Sequence, residues 1–419
     1  MLRWRTAGVA ILSGIALLAG GSAAAGRIPS SAPAAGIRLL AADSLNDGNG
    51  TLIGAPLTTA GHTSAGVQLA RAAALAAKMS AQQLAGQRII YSYPGQVPPA
   101  SLLSLIRHGE AGGVIFFAVN YANRGQFTRV VRQLEAANAS AGNPARAYPL
   151  LLMTDQEGGE VRRLPGAPVA SEKAIGAIRP LSAAAAAAAR AGAGAAANLR
   201  SYGLNVDLAP VLDVYRRPGD FDDQYHRSYS MRPTVVSALG ARFVTAMQAG
   251  KVAAAVKHFP GLGAATASQN TDDSPVTLNL PAATIEDRDE YPYKAAIAAG
   301  AKLVMVSWAV YPQLGSTLPA GLAPAVVQGQ LRGRLGYTGV TITDSIGAGA
   351  LDPYGAAPRR SFLAAKAGMD LILAASQTAA QGVQCMNSLA GGYRSGKLPR
   401  AAFQAAVDRI LALRSTLPS

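Results

Sequence analysis

The sequence is poor in cysteine and in charged residues. Cys385 is the only cysteine among 419 residues, so no intrachain disulfide can form. In a helical C-terminal tail, this residue is expected to be a small buried side chain rather than a nucleophile. Only 15% of the residues are charged and 50% are hydrophobic, which is typical of a globular chain that is stabilised by its core.

Histidine is also scarce, which limits the metal chemistry that the chain can support. The four histidines are His62, His108, His226 and His258. No group of histidine, cysteine and carboxylate residues has the spacing of metal ligands, and no glycine-rich phosphate loop follows a strand. The sequence therefore predicts neither a metal nor an organic cofactor.

Residues 1–25 have the pattern of a secretory signal. Arg3 and Arg5 precede an apolar segment from Ala7 to Leu18, and small residues lead to Ala25, where cleavage is expected. The segment is shorter than the ~20 residues of a membrane span, and an uncleaved signal anchor is the alternative. Residues 26–66, rich in Ala, Gly, Ser and Pro, are interpreted as a flexible tether. The protein is therefore expected to be secreted or extracytoplasmic.

Acidic residues are outnumbered by basic ones, and the formal net charge is +15. No block of lysine and arginine carries interleaved aromatic residues, so nucleic-acid binding is not predicted. For an exported protein, the positive charge instead favours electrostatic association with anionic cell-wall polymers or lipid headgroups.

From residue 67 the chain has a regular pattern. A helical stretch from Leu69 to Leu84, with Ser80 as an internal cap, precedes the first of eight short apolar runs. Helix-like segments separate these runs, and continuous apolar strands are typical of a parallel sheet that is buried on both faces. The pattern predicts a (β/α)8 TIM-type barrel, a single α/β domain over residues 67–419. The runs are residues 88–91, 113–117, 150–154, 204–208, 253–257, 303–307, 339–343 and 371–374.

Polar side chains directly follow three of the runs, at the strand ends where TIM barrels keep their chemistry. The fifth run leads into Lys257 and His258. The third leads into Asp155, and the glycines after it allow a tight turn that would bring Arg163 to the same pocket. Asp344 ends the seventh, where a carboxylate can act as a nucleophile or a ligand. The alternatives are structural: a Lys-His pair that ends a strand, or aspartates that cap the next helix.

Four motifs together resemble glycoside hydrolase family 3, in its single-barrel branch of β-N-acetylglucosaminidases. The resemblance covers about residues 70–415, and the motifs occur in the family's order. One of them, Arg227-Ser228-Tyr229, lies in a long loop after the fourth run, and long loops in compact barrels are usually functional. The other three are Asp155-Gln156-Glu157-Gly158-Gly159, Lys257-His258-Phe259-Pro260-Gly261 and Thr343-Asp344-Ser345.

The resemblance implies an enzyme that removes a terminal β-linked N-acetylhexosamine from cell-wall-type glycans by a retaining double displacement. It implies that Asp344 is the nucleophile. It further implies that a −1 subsite binds the sugar hydroxyls and the acetamido group through Asp155, Arg163, Arg227, Lys257 and His258.

The acid/base group that the resemblance implies is missing. That branch uses a histidine, paired with an aspartate, on the loop after the Lys-His-Phe-Pro-Gly motif, and residues 261–275 contain no histidine here. Asp272 and Asp273 are the candidate substitutes, because partial desolvation can raise the pKa of a carboxyl group toward working pH. The alternative for both is a capped, solvated turn, and His226 is a weaker candidate acid. Two further glutamates of the turn after the third run are interpreted as structural: Glu157 and Glu160.

Two functional hypotheses therefore remain. The first is an exported β-N-acetylhexosaminidase or related glycosidase that acts through Asp344. The second is a catalytically impaired barrel that binds such glycans with the same subsite. The substrate or ligand is a carbohydrate in both.

Overall fold

The computed structural model describes residues 59–418. The predicted signal segment, residues 1–25, and residues 26–58 of the predicted tether lie outside the described residues. Within the described part, eight parallel strands close into a barrel in which consecutive strands are neighbours and the last pairs with the first. The predicted (β/α)8 barrel is therefore confirmed. The strands are β1 (Ile89–Tyr91), β2 (Gly113–Ile115), β3 (Leu151–Thr154), β4 (Val206–Asp207), β5 (Ala253–Phe259), β6 (Leu303–Val306), β7 (Val340–Ser345) and β8 (Leu371–Leu373).

The strands are buried on both faces, as their continuous apolar runs predict. One apolar cluster fills the inside of the barrel, and a larger one lies between the strands and the helices. The inner cluster includes Ile410 and Leu413 of the C-terminal helix, and Arg414 Nε of the same helix donates to the Pro149 carbonyl, before β3, at 2.7 Å. This helix therefore closes the amino-terminal end of the barrel. Cys385 is buried as predicted, and burial raises the pKa of its thiol to about 11.

Helices connect the strands and cover the outside of the barrel. Two connecting segments, Ile285–Asp289 and Ala325–Arg334, have π-helical hydrogen bonding. Among the described residues, no helix is both long enough and apolar enough to cross a bilayer. The α-helices are Thr59–Ala76, Ala81–Gly86, Ala100–Arg107, Arg124–Asn138, Glu172–Gly176, Leu181–Tyr202, Phe221–Gln224, Pro233–Ala249, Ala282–Thr284, Tyr291–Ala298, Ala357–Ala367, Ala379–Arg394 and Arg400–Ser415.

The first helices differ from the sequence prediction. The first one begins at Thr59, so residues 59–66 are helical rather than part of a tether, because helix propagates readily from the alanine-rich segment that follows. Ser80 is extended, and its hydroxyl accepts the Gln83 N–H at 3.1 Å. Ser80 therefore caps a separate second helix, and the predicted single helical stretch is two helices.

A third helix and a hairpin are among the elements absent from the sequence prediction. The helix Ala100–Arg107 buries Leu102, Leu103 and Ile106. After β3, the segments Gln156–Gly158 and Val161–Arg162 pair as a short antiparallel hairpin. This hairpin shapes one side of the barrel mouth.

Candidate active site

The carboxyl end of β7 presents Asp344 at the mouth of the barrel. Val340–Thr343 are buried, whereas Asp344 is partly exposed. Its Oδ1 accepts a hydrogen bond from the Ser345 N–H at 2.6 Å. Burial and the charge of Asp272 raise the pKa of the Asp344 carboxyl, while this N–H and the nearby Lys257 favour the ionised form. The predicted nucleophile is therefore accessible and lies among charged groups from other strand ends.

Lys257 joins two carboxylates below the mouth. Its Nζ lies 2.8 Å from Asp155 Oδ1 and 2.7 Å from Glu157 Oε1, and its side chain is only 2% exposed. Burial disfavours the charged ammonium, but these carboxylates outweigh burial and raise the pKa of Lys257. Lys257 therefore stays charged, and it fixes the carboxylate that the more exposed Asp155 presents to the mouth.

Arg227 is clamped by two acidic side chains. Its Nε and Nη2 donate to Glu157 at 2.9 and 3.0 Å, and its Nη1 donates to Asp222 at 3.0 Å. Burial would raise the pKa of Glu157, but Arg227 and Lys257 together lower it to about 2. Glu157 is therefore a positioning residue, because it joins the two cations predicted to bind sugar.

Asp213 orients the ring of His258, and burial keeps that ring neutral. Its Nδ1 lies 2.7 Å from Asp213 Oδ2, and Asp213 also accepts the Leu262 N–H at 2.5 Å. Desolvation and the nearby Arg227 guanidinium lower the pKa of His258 to about 4. At neutral pH, Nδ1–H therefore donates to Asp213, and Nε2, 3.5 Å from Arg227 Nη2, is an acceptor.

Asp213, Asp222 and His258 have atoms of the kind that bind metal ions, and these atoms lie within 4.8 Å of one another. Burial and the charge of Asp213 raise the pKa of Asp222 to about 7. Asp213 accepts protein N–H groups, and Asp222 is paired with Arg227. The donor set of this cluster is therefore that of a hydrogen-bonded network that orients His258.

The hairpin after β3 brings Asp155 and Arg163 to the same side of the mouth, as predicted. Gly158 and Gly159 have φ of 109° and 57°, and a Cβ on Gly158 would lie 2.3 Å from the Ala170 carbonyl oxygen. Arg163 Nε lies 4.0 Å from Asp155 Oδ2, and the side chains are 35% and 16% exposed. Both side chains are therefore accessible to a ligand in the mouth.

The loop after β5 carries Asp272 and docks on the segment after β7. The carbonyl oxygens of Asp272 and Thr271 accept the N–H groups of Gly349 and Ala350 at 2.8 and 3.0 Å. Asp272 retains solvent-exposed surface, but the surrounding loops partly desolvate its carboxyl and, with the charge of Asp273, raise its pKa. The docking therefore places Asp272 close enough to Asp344 for their charges to interact.

The other candidate acids are held elsewhere. Asp273 Oδ2 accepts a hydrogen bond from Asn270 Nδ2 at 2.7 Å. His226 Nδ1 lies 3.1 Å from Glu160 Oε1, and both side chains are more than half exposed. His226 and Glu160 therefore pair with each other at the surface, which favours Asp272 as the titratable partner of Asp344.

Sequence reasoning missed buried carboxyl groups behind the sugar-binding residues. Asp207 Oδ1 accepts the Gln156 N–H at 2.9 Å, and burial raises the pKa of Asp207 to about 8. Glu172 Oε1 accepts the Val211 N–H at 2.9 Å, and burial raises its pKa far above the ordinary value. Asp207 ends a predicted strand and could have been selected. Glu172 and Asp222 lie in short connecting helices that no sequence pattern marks.

Comparisons with known proteins identify the family of the chain. The glycosyl hydrolase family 3 N-terminal domain matches residues 78–413. An uncharacterized secreted glycosyl hydrolase of Arthroderma benhamiae is 42% identical over 352 residues, which are 84% of this chain and 98% of that protein. A β-hexosaminidase of Stenotrophomonas maltophilia is 36% identical over 277 residues, 64% of this chain and 77% of that protein.

The fold is similar to that of a solved family 3 β-N-acetylglucosaminidase from a Paenibacillus species. The TM-score is 0.74 at 31% identity, and the match covers 81% of this chain. The chain spans 62% of the length of that protein. The family match includes all eight strands of the barrel. The chain therefore belongs to glycoside hydrolase family 3 and is a glycoside hydrolase.

Proposed function

We propose that the protein is an exported, exo-acting β-N-acetylhexosaminidase of the retaining type. Asp344 is the nucleophile, and Asp272 is the general acid and base. The names of two relatives, a β-hexosaminidase and a β-N-acetylglucosaminidase, support an N-acetylhexosamine of a cell-wall-type glycan as the sugar. The observation that carries the proposal is the pair of backbone hydrogen bonds that dock the loop bearing Asp272 on the segment that follows Asp344.

One proton shared by the two carboxyls supplies the protonation state that the reaction needs. Neighbouring carboxyls do not both ionise at the same pH, because each raises the pKa of the other. Asp344 has the Ser345 N–H and Lys257 nearby, which favour its carboxylate. For Asp272, partial burial and the charges of Asp273 and Asp155 favour the protonated form and together outweigh the opposite effect of Arg227. We therefore assign the proton to Asp272 and the negative charge to Asp344.

This state supports double displacement. In the first step, Asp344 Oδ attacks the anomeric carbon, the glycosidic C–O bond breaks, and Asp272 gives its proton to the departing oxygen. In the second, the Asp272 carboxylate takes a proton from water, the water oxygen attacks the anomeric carbon, and the bond to Asp344 breaks. The sugar is released with its β configuration, and both carboxyls return to their starting state.

The unused hydrogen-bonding capacity of the charged cluster suits a polyol. Lys257 uses two of its three N–H donors on Asp155 and Glu157. Arg227 likewise retains one N–H donor beyond its contacts with acidic groups and His258. Arg163 has no hydrogen bond at its buried Nε among the described residues. The proposed −1 subsite consists of Asp155, Arg163, Arg227, Lys257 and His258.

Export and attachment to the cell wall are the cellular part of the proposal. The signal pattern of residues 1–25 and the secreted relative from Arthroderma benhamiae support export. The net charge of +15 supports electrostatic association with anionic wall polymers. Binding of the purified protein to such polymers should weaken as salt is added, because salt screens exposed charges.

Two substrates distinguish hydrolysis from mere glycan binding. An aryl β-N-acetylglucosaminide has a good leaving group that needs little acid assistance, whereas a β-linked disaccharide of N-acetylglucosamine needs much more. The wild-type protein should cleave both and Asp344→Ala neither, while Asp287→Ala, at an exposed position, should keep full activity. If the wild-type protein cleaves neither substrate faster than Asp344→Ala does, the proposed hydrolysis is wrong.

A further inference from the structure

A second cavity lies at the amino-terminal end of the barrel, opposite the sugar site. Its lining includes Arg88, immediately before β1, and Met369, shortly before β8, and its volume is about 290 Å³. The C-terminal helix contributes Phe403 and Arg409. Because TIM barrels keep their chemistry at the carboxyl end of the strands, a ligand here would be bound rather than converted.

Every charged side chain that lines this cavity is a cation: Arg88, Arg332, Lys366 and Arg409. Behind the lining, Asp370 Oδ2 lies 2.7 Å from Arg332 Nη2, and its Oδ1 lies 2.6 Å from Arg409 Nη2. One carboxylate is thus shared by two guanidinium groups. Within the described part of the chain, neither Arg88 nor Lys366 has a carboxylate within 4.0 Å of its side-chain nitrogens. The cavity therefore carries an excess of positive charge.

Arg88 is a buried cation that is satisfied only by neutral groups. Its Nε and Nη2 donate to the carbonyl oxygens of Asp370 and Met369 at 3.0 and 2.5 Å. Its Cζ lies 4.2 Å from the centre of the Phe403 ring. Burial lowers the pKa of Arg88 to about 10, although the charge of Asp370 acts in the opposite direction. An anion in the cavity would stabilise this guanidinium.

Arg332 has a donor that the protein leaves unused. Its buried Nε has no hydrogen-bond partner among the described residues. Its other donors face the Tyr337 and Gly339 carbonyls and the Asp370 carboxylate. A buried donor without an acceptor is destabilising, so an oxygen atom bound there would relieve this cost.

We infer that this cavity binds a tetrahedral oxyanion, a phosphate monoester or phosphodiester. Phosphate oxygens accept paired hydrogen bonds from guanidinium groups, and Lys366 adds a compact charge at the rim. The apolar side chains of Leu398 and Phe403 lower the local dielectric constant, which strengthens the attraction. The phosphate is either free in solution or part of an anionic polymer, to which the site would attach an exported protein.

Titration of the whole protein with inorganic phosphate, at constant ionic strength, tests this site. Calorimetry should show saturable binding, and the melting temperature should rise with phosphate but not with chloride. Lys366→Gln removes an exposed cation that has no ion-pair partner among the described residues. It should weaken phosphate binding about tenfold, the effect of losing one charge-assisted contact. Lys251→Gln, before β5 and three strands away around the barrel, is the matched control and should bind like wild type.

A soluble poly(glycerol phosphate) distinguishes the two sources of phosphate. Competition by the polymer, lost in Lys366→Gln, identifies a phosphodiester ligand, whereas phosphate binding without polymer binding identifies free phosphate. The inference is overturned if neither probe binds saturably, or if both lysine variants weaken binding equally. Sugar hydrolysis by Lys366→Gln should equal that of wild type, so this test is independent of the proposed glycosidase mechanism.

Discussion

Replacement of Asp272 by asparagine keeps the shape of the side chain but removes its ability to transfer a proton. The loop should stay in place, because the backbone of residues 271–272 accepts the hydrogen bonds of Gly349 and Ala350. General acid–base catalysis by one side chain contributes ~10²–10⁴-fold to a rate. We therefore expect kcat/KM for the disaccharide to fall ~10²–10⁴-fold in Asp272→Asn, with little change in melting temperature.

The same variant should behave differently with an activated aryl glycoside. The first step then needs little acid assistance, whereas the second still lacks a base to activate water. The glycosyl-enzyme should therefore accumulate, which would appear as a burst of aryl alcohol followed by slow turnover. Azide needs no base to attack, so it should restore turnover and form a β-glycosyl azide. Stopped-flow absorbance and product analysis measure both effects.

Asp273→Asn is the matched control, because Asp273 lies in the same loop and its carboxylate is hydrogen-bonded to Asn270. It should change either rate by less than about fivefold and move the alkaline limb of the pH profile to lower pH, because the charge of Asp273 helps to raise the pKa of Asp272. The wild-type kcat/KM should fall at alkaline pH as Asp272, whose pKa is raised, loses its proton. This alkaline limb should be absent from Asp272→Asn. Equal losses in the two variants, or full disaccharide activity in Asp272→Asn, would refute the assignment of the acid.

Three further variants test the surroundings of the site. Arg227→Lys loses the bidentate contact with buried Glu157, so the free energy of unfolding, measured with denaturant, should fall by about 3 kcal/mol. The exposed control Arg217→Lys should lose almost none, and equal stability of the two variants would contradict this role of Arg227. Asp207 is protonated more readily when folded, with a pKa of about 8 against 3.8, so the free energy of unfolding should fall as pH rises between these values. Asp207→Asn should reduce this dependence of the free energy of unfolding on pH, and an unchanged slope would contradict the raised pKa of Asp207. In Gly349→Ala the new Cβ would lie 2.3 Å from a backbone oxygen of the loop that carries Asp272, so the rate of disaccharide hydrolysis should fall. Gly329→Ala, whose Cβ would have no neighbour within 4 Å, should hydrolyse the disaccharide like wild type, and equal activities of the two variants would contradict the docking of the loop.

The barrel could be predicted because its strands are buried on both faces. The run from Ala253 to Val256 is apolar without alternation, which is typical of a parallel strand between two apolar layers. The helix Ala100–Arg107 was missed because its eight residues are fewer than the ~11–18 over which periodicity is assessed, although its apolar residues lie on one face. The sequence shows that Ser80 can cap a helix, but it does not show that the backbone is extended there and separates two helices.

The candidate site could be predicted only where a charged side chain directly follows an apolar strand. Lys257 and Asp344 were found in this way. The ion pairs that Glu157 makes with Lys257 and Arg227 could not be found, because these contacts join residues far apart in the chain: Glu157 and Arg227 are separated by 70 positions. Nor could the sequence choose between Asp272 and its neighbour Asp273. The choice depends on how the loop docks on the segment after β7.

The covalent step through Asp344 is tested most directly by mass spectrometry of the protein treated with a fluorinated amino-sugar fluoride. Such a reagent forms the glycosyl-enzyme faster than water can hydrolyse it. The mechanism predicts a mass increase of one glycosyl unit, located by peptide mapping on Asp344. An enzyme that turns over substrate but carries no adduct, or carries it on another residue, would contradict the mechanism.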